Sequence, residues 1–252
     1  MFYIRMINLL NMKINIHDST YIFLLISFLS GYFEYIYLLL IIIFIHEMGH
    51  FIFSLLCGIS VSKIDIYPFG GLSVLNCDLN ISIIKEFICL IGGIVFQALF
   101  YFFIKFLYVN GFISYHVFNL VFEINVFLIS FNFLPIIPLD GGKLLNLFLD
   151  LFFSYRLSFK ISCFISFIFS FIFLFSIRTI LSFLLFLFLI KSIIYEYKFF
   201  EFKYNKFLLE RYVGGYKFNK SIFIKNDKSF KRGFYHVINN EFEERFLFKK
   251  FN

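Results

Sequence analysis

The chain has 252 residues, is 61% hydrophobic and 24% aromatic, and has a mean hydropathy of +0.87. These values exclude a soluble globular domain and describe an all-α polytopic membrane protein. The formal charge of +7 is uneven, because residues 196–252 hold 13 Lys/Arg against 7 Asp/Glu and residues 1–195 hold 10 against 9. A basic juxtamembrane tail marks the cytoplasmic side and contact with anionic headgroups. No nucleic-acid motif accompanies the charge, so nucleic acid is not an expected partner.

Residues 1–19 form an amphipathic stretch carrying Arg5 and Lys13, suited to the membrane surface. No small-residue cleavage site is present, so a cleavable signal peptide is not expected. Residues 20–33 are a short first apolar run, and the link around Glu34 predicts a tight hairpin with the next span. Residues 36–57, IYLLLIIIFIHEMGHFIFSLLC, are long enough to cross a bilayer, for which about 20 apolar residues suffice. Their middle carries His46, Glu47 and His50. Ionisable groups at membrane depth are costly and are functional by default. On a helix, positions i and i+4 share a face, so both imidazoles point the same way. Two neutral imidazoles are good zinc ligands, and Glu47 beside them is placed to take a proton from a water. A salt-bridged surface helix would also fit HExxH, but Ile41 to Ile45 and Phe51 to Phe53 leave the motif in an apolar setting.

Residues 58–82 alternate polar and apolar positions around Phe69-Gly70-Gly71, which reads as a small β-hairpin over 64–74. Such a hairpin can take an extended peptide by strand addition, making Phe69, Gly70 and Gly71 candidate substrate-binding residues; an ordinary connector is the alternative. The third span, 84–109, contains Gly92-Gly93, which permits close helix packing, and Gln97. Gln97 is expected either to donate to a substrate carbonyl or to make a helix-packing hydrogen bond. The fourth span, 115–134, runs into FNFLPIIPLDGGKLL. Pro135 and Pro138 break the helix, and irregular backbone at membrane depth is tolerated only inside protein or along a cavity. Asp140 is a good third zinc ligand, with a helix N-cap as its alternative role, and Asn132 is placed to bond substrate backbone. Runs 157–176 and 178–195, separated around Arg178, read as scaffold.

None of Cys57, Cys77, Cys89 and Cys163 forms a CxxC pair, so neither a thiolate metal site nor a redox motif is indicated. With the N-terminus in the cytoplasm, six spans return the tail there and leave Arg5, Lys13, Lys63, Lys85, Lys143, Arg156 and Lys160 inside, against little more than Lys105 and Arg178 outside. The second and fourth spans then both run inward. His50, seven residues from the inner end, lies roughly 10 Å below the surface, a depth Asp140 can share. The domain reading is an intramembrane domain, 1–195, and a basic cytoplasmic tail, 196–252.

HEMGH in an apolar span followed by NFLPIIPLDGG resembles the site-2 proteases, intramembrane zinc metalloproteases of peptidase family M50, over residues 36–145. The FGG hairpin, the absence of a PDZ insertion, FLLERY (207–212) and FKRGFYHVI (230–238) are similar to a short, sporulation-type branch. The resemblance implies His46, His50 and Asp140 as ligands of one zinc ion, Glu47 as general base, and Asn132 and Gln97 near the substrate backbone. It also implies a membrane-associated proprotein as substrate, in the sporulation case a sigma-factor precursor, membrane regulatory proteins as partners, and a bacterial cell-membrane location. Ile94 and Gln97 stand where the branch usually has Pro and Asn, and the tail is short for the nucleotide-sensing CBS domain that relatives carry. Two other classes fit the same residues: an inactive homologue that binds membrane clients, and a metal transporter using His46, His50 and Asp140 in transit. Proteolysis separates the first and metal flux in liposomes the second.

Overall fold

A computed structural model of the chain describes residues 13–16, 28–29, 31, 33–67, 70–76, 79–176, 179–214, 216, 218 and 220–251. It is mostly helical, with two small sheets. Strand β1 (Lys13–Ile16) is followed by α1 (Phe33–Leu56), β2 (Ser60–Tyr67), β3 (Gly70–Asn76), α2 (Ile83–Val109) and α3 (Tyr115–Asn132). Then come α4 (Asp140–Phe152), α5 (Tyr155–Ser176), α6 (Ile180–Gly214), β4 (Ser221–Ile224), a 3-10 turn (Asp227–Ser229), β5 (Tyr235–Ile238), β6 (Glu241–Phe242) and α7 (Glu243–Phe251). Contacts divide the chain into two units, Met1–Cys77 with Lys85–Phe131, and Asp78–Ile84 with Asn132–Asn252.

In the first unit, Leu39, Ile42 and Ile43 of α1 pack with Val121, Ile124 and Leu128 of α3, and Phe100 and Ile104 of α2 close the cluster. The opposite side of α2 leaves Phe102, Phe103 and Phe106 exposed, an apolar face suited to lipid. Glu34, expected in a loop, instead sits in the first turn of α1, where the helix dipole favours a carboxylate. The expected hairpin is present and longer than 64–74: β2 and β3 pair antiparallel from Ser60↔Asn76 to Tyr67↔Gly70. The sequence reading did not anticipate β1, which pairs parallel with β2 from Lys13↔Lys63 to Ile16↔Ile66. Four residues are too few for an alternation pattern to stand out, and the partner lies fifty positions away.

In the second unit, four buried serines at i+4 spacing, Ser158, Ser162, Ser166 and Ser170, line one face of α5. The first three hold the broken segment and α4, and Ser170 bonds back to the Phe167 carbonyl of its own helix. Ile137 N–H donates to Ser166 Oγ (2.9 Å), a donor freed where the prolines interrupt the helix. Ser162 bonds Asn146 (3.2 Å), and Ser158 donates to Asp150. The run read from sequence as plain scaffold thus carries the polar contacts that seat α4.

Residues beyond 196 fold against α5. Phe200, Tyr204, Phe207 and Leu208 of α6 share a core with Tyr155, Phe159, Phe230, Ile238 and Leu247. The domain boundary expected at 195/196 falls inside α6. FLLERY and FKRGFYHVI interlock: the Arg211 guanidinium donates to Glu243 Oε1 (2.6 Å) and to the Phe234 carbonyl, and lies 5.6 Å from the Phe230 ring centroid. His236 accepts from the Lys231 N–H at Nε2 (3.0 Å), which leaves Nδ1 to donate to Glu243 Oε2 (3.1 Å).

Burial pushes the His236 imidazole below its ordinary value. Burial works to raise the Glu243 carboxyl, but the His236 hydrogen bond and the Arg211 charge outweigh it and hold the group low. Both shifts act in the same sense. Below about pH 6.5 the unfolded chain takes a proton that folded His236 resists, and near pH 4 the unfolded chain does so at Glu243. Tail stability is therefore expected to be full at neutral pH and to fall as the pH drops from 7.5 to 5.5. The melting temperature in detergent checks this: the drop should shrink in His236→Gln, and equal melting temperatures at both pH values would contradict it.

Among the described residues, three helices, α1, α2 and α5, are long and apolar enough to cross a membrane. Most of the run expected as a first span, 20–33, and Arg178 lie outside the described residues.

Candidate metal centre

Helix α1 has 24 residues, about 36 Å at 1.5 Å per residue, and carries HEMGH past its midpoint. His46, Glu47 and His50 are buried at 4%, 5% and 5% exposure. The i, i+4 spacing brings the two rings together edge to face, with Nε2 to Nε2 at 3.0 Å. Helix α2 holds the far side of each ring. The Cys89 carbonyl lies 2.9 Å from His50 Nδ1, and Gln97 Oε1 lies 2.9 Å from His46 Nδ1. A backbone carbonyl only accepts, so His50 Nδ1 carries the hydrogen and the neutral ring presents a lone pair at Nε2. With the Gln97 amide oxygen on Nδ1, His46 has the same tautomer. Two lone pairs at this separation repel unless a cation or a proton lies between them. An imidazole fixed through Nδ1 to a carbonyl is the arrangement by which proteins orient metal-binding histidines.

Ligand atoms of His46, Glu47 and His50 all lie within 4.8 Å of one another. Glu47 Oε2 is buried and has no hydrogen-bond partner among the described residues. A buried carboxylate oxygen needs a cation or a donor. The donor set, the tautomers and this oxygen together fit a divalent metal ion.

Glycines bring the two helices close enough for these contacts. A Cβ on Gly92 would stand 2.6 Å from the Gly49 carbonyl oxygen, and one on Gly93 2.5 Å from His46 Cε1 and 2.7 Å from His50 Nε2. Gly93 is therefore the floor under the imidazole pair. The sequence reading took Gly92-Gly93 as a packing pair without this role.

The other predicted site residues divide between the units. Gln97 stands with the imidazoles in the first unit. Gly70 and Gly71 open β3, paired with Tyr67 and Ile66, and Phe69 lies outside the described residues. Asp140 and Asn132 belong to the second unit. Asn132 ends α3, half-buried. Asp140 is the first residue of α4, buried at 6% exposure, and Lys143 Nζ donates to its Oδ1 (3.1 Å). It is not the N-cap, a position held by Leu139 without a side-chain bond. Gly141 and Gly142 follow because Phe133 to Ile137 lies directly over this turn; a Cβ on Gly142 would stand 2.5 Å from Ile137 N.

Sequence reasoning missed Asn125. Its amide donates to the Gln97 carbonyl oxygen (3.2 Å) from a site with 2% exposure, placing it behind the residue that holds His46. A buried asparagine in the apolar run of α3 was the available signal. Gln97→Leu is expected to weaken zinc binding about 10- to 100-fold, the usual effect of removing an orienting partner. Competition with a chelator of known affinity measures it, and unchanged affinity would contradict it.

An HExxH imidazole pair held from behind inside a membrane-compatible helix is the arrangement of a membrane-embedded metalloprotease. A model of peptidase family M50 matches residues 34–112. Stage IV sporulation protein FB of Bacillus subtilis is 31% identical over 208 residues, covering 81% of this chain and 72% of that protein. The chain belongs to peptidase family M50, and is a zinc metalloprotease. A zinc metalloprotease of Methanocaldococcus jannaschii is 30% identical over 110 residues, covering 42% of this chain and 31% of that protein. The solved site-2 protease from the same archaeon shares the fold, with a TM-score of 0.58 at 24% identity over 74% of this chain and 91% of that one.

Proposed function

We infer that the chain cleaves a membrane-associated proprotein within or at the membrane, and that, as the sporulation-type resemblance suggests, the substrate is a sigma-factor precursor. The observation that carries this reading is the imidazole pair whose Nε2 atoms converge at 3.0 Å with both Nδ1 atoms held from behind. His46, His50 and Asp140 are the residues that would hold one zinc ion. A zinc ion held there would supply Lewis acidity toward a water and a peptide carbonyl. Glu47 accepts the proton of the attacking water and returns it to the leaving amine. Gln97 orients His46, because its amide oxygen engages Nδ1 rather than pointing at substrate. Asn132 bonds the substrate backbone.

A helical substrate hides its carbonyls in its own hydrogen bonds, so it must unwind or arrive extended. The hairpin around Phe69, Gly70 and Gly71 holds it by strand addition. The chain is a multi-pass protein of the bacterial cell membrane with six spans, its tail cytoplasmic, and membrane proteins regulate access to it. Co-expression with a tagged, membrane-associated sigma-factor precursor tests the reading. A shorter product that appears only with the intact chain supports it, and an unprocessed precursor beside zinc-loaded protein counts against that substrate.

A further inference from the structure

We propose that Arg232 is a positioning residue for the metal centre: its buried ion pair with Asp150 is the far anchor of a clamp that fixes α4, and with it Asp140. The proposal rests on the reading of Asp140 as the third zinc ligand.

Helix α4 is a rod of 13 residues, about 20 Å long, with Asp140 as its first residue and Asp150 near its last. Its contacts with α5 are polar and regularly spaced: Ser166 takes the Ile137 N–H ahead of the helix, Ser162 meets Asn146, and Ser158 meets Asp150. Hydroxyls at i+4 on one helix define a fixed lateral register but bind weakly one by one. The strong anchor lies at the end remote from Asp140. Arg232 donates to Asp150 Oδ2 (3.3 Å) and to the Ile81 carbonyl (3.0 Å). The two charged side chains are 4% and 0% exposed.

Arg232 is itself fixed. The Tyr155 N–H donates to the Phe230 carbonyl two residues before it (2.9 Å), and the Phe230 side chain is fully buried in the tail core. The turn after it uses Gly233 at φ +75°. A buried carboxylate and guanidinium stay together, because separating them leaves a charge without compensation. The tail therefore sets the axial position of α4 at Asp150, and a rigid helix carries that position to Asp140. This links the basic tail, which holds no group of the proposed chemistry, to the geometry of the zinc site.

The test uses the full chain purified in detergent and two readouts other than activity: zinc affinity by chelator competition, and the visible absorption of the cobalt(II)-loaded protein, which reports ligand number and geometry. Arg232→Gln and Asp150→Asn are each expected to weaken zinc binding about 10-fold and to shift the cobalt bands, and Arg232→Lys to restore both substantially. Asp140→Ala is the reference for loss of the ligand. If Asp140→Ala lowers affinity while Arg232→Gln and Asp150→Asn match wild type in both readouts, the clamp is overturned and the ligand reading stands. If Asp140→Ala itself changes neither, the ligand reading fails and takes the clamp with it. Should Arg232→Gln not fold, Asp150→Asn, which keeps an oxygen for Ser158, decides alone.

Discussion

Glu47→Gln is expected to retain one zinc ion per chain and to lose cleavage by at least about 10²- to 10⁴-fold, the usual worth of a general base. Glutamine has the shape of glutamate and keeps an oxygen, but it accepts no proton at neutral pH. The His46 and His50 imidazoles bond to Gln97 and to the Cys89 carbonyl, not to Glu47, so their orientation survives the change. The same substitution should not destabilise the protein. Glu47 Oε2 is buried without a partner among the described residues, and a neutral amide costs less to bury than a carboxylate. Metal analysis, gel-based cleavage and a melting curve on one preparation check all three parts. Cleavage at the wild-type rate would remove Glu47 from the mechanism.

Gly93→Ala is expected to abolish stoichiometric zinc binding, and cleavage with it. The added methyl would stand 2.5 Å from His46 Cε1 and 2.7 Å from His50 Nε2. The rings cannot step aside cheaply, because each is tied through Nδ1 to α2, the helix that carries Gly93. Either the rings swing and break those bonds, or α2 withdraws from α1. Both outcomes disperse the two Nε2 atoms. An affinity loss of at least about 10- to 100-fold follows from disturbing such partners alone. Phe103→Leu on the same helix is the control: Phe103 is 56% exposed on the outer apolar face, and its replacement should leave zinc content unchanged. Wild-type zinc affinity in Gly93→Ala would show that the helices are not locked at this contact.

The site was legible where chemistry contradicts its surroundings. His46, Glu47 and His50 stand out because nothing in an apolar span accounts for them, and the i+4 spacing alone puts both rings on one face. Gly92-Gly93 was legible as close packing, but not as the floor of the site, since that depends on which residues of α1 lie opposite. Gln97 was legible as a polar residue in need of a partner, and only the fold identifies His46 as that partner. The Cys89 contribution is a backbone carbonyl, which no side-chain pattern can reveal. The β-hairpin showed through its turn and alternation. Strand β1 did not, because its pairing is non-local. The serine face of α5 was read as neutral scaffold. Serine is common in apolar helices, and its meaning here comes from Asn146, Asp150 and Ile137 lying opposite.

Helix α6 runs unbroken from Ile180 to Gly214, about 52 Å at 1.5 Å per residue. Its second half supplies Phe200, Tyr204, Phe207 and Leu208 to the core on which the tail is built. The tail is thus mounted on a shaft rather than hung on a tether, and a gene cut at residue 196 would sever that shaft and part the tail core from Tyr155 and Phe159. A soluble C-terminal fragment prepared for binding studies must therefore begin within α6, upstream of Phe200, and must replace the contacts that Tyr155 and Phe159 provide. A torque on the tail would pass along α6 to its start at Ile180 with no break in the helix to absorb it.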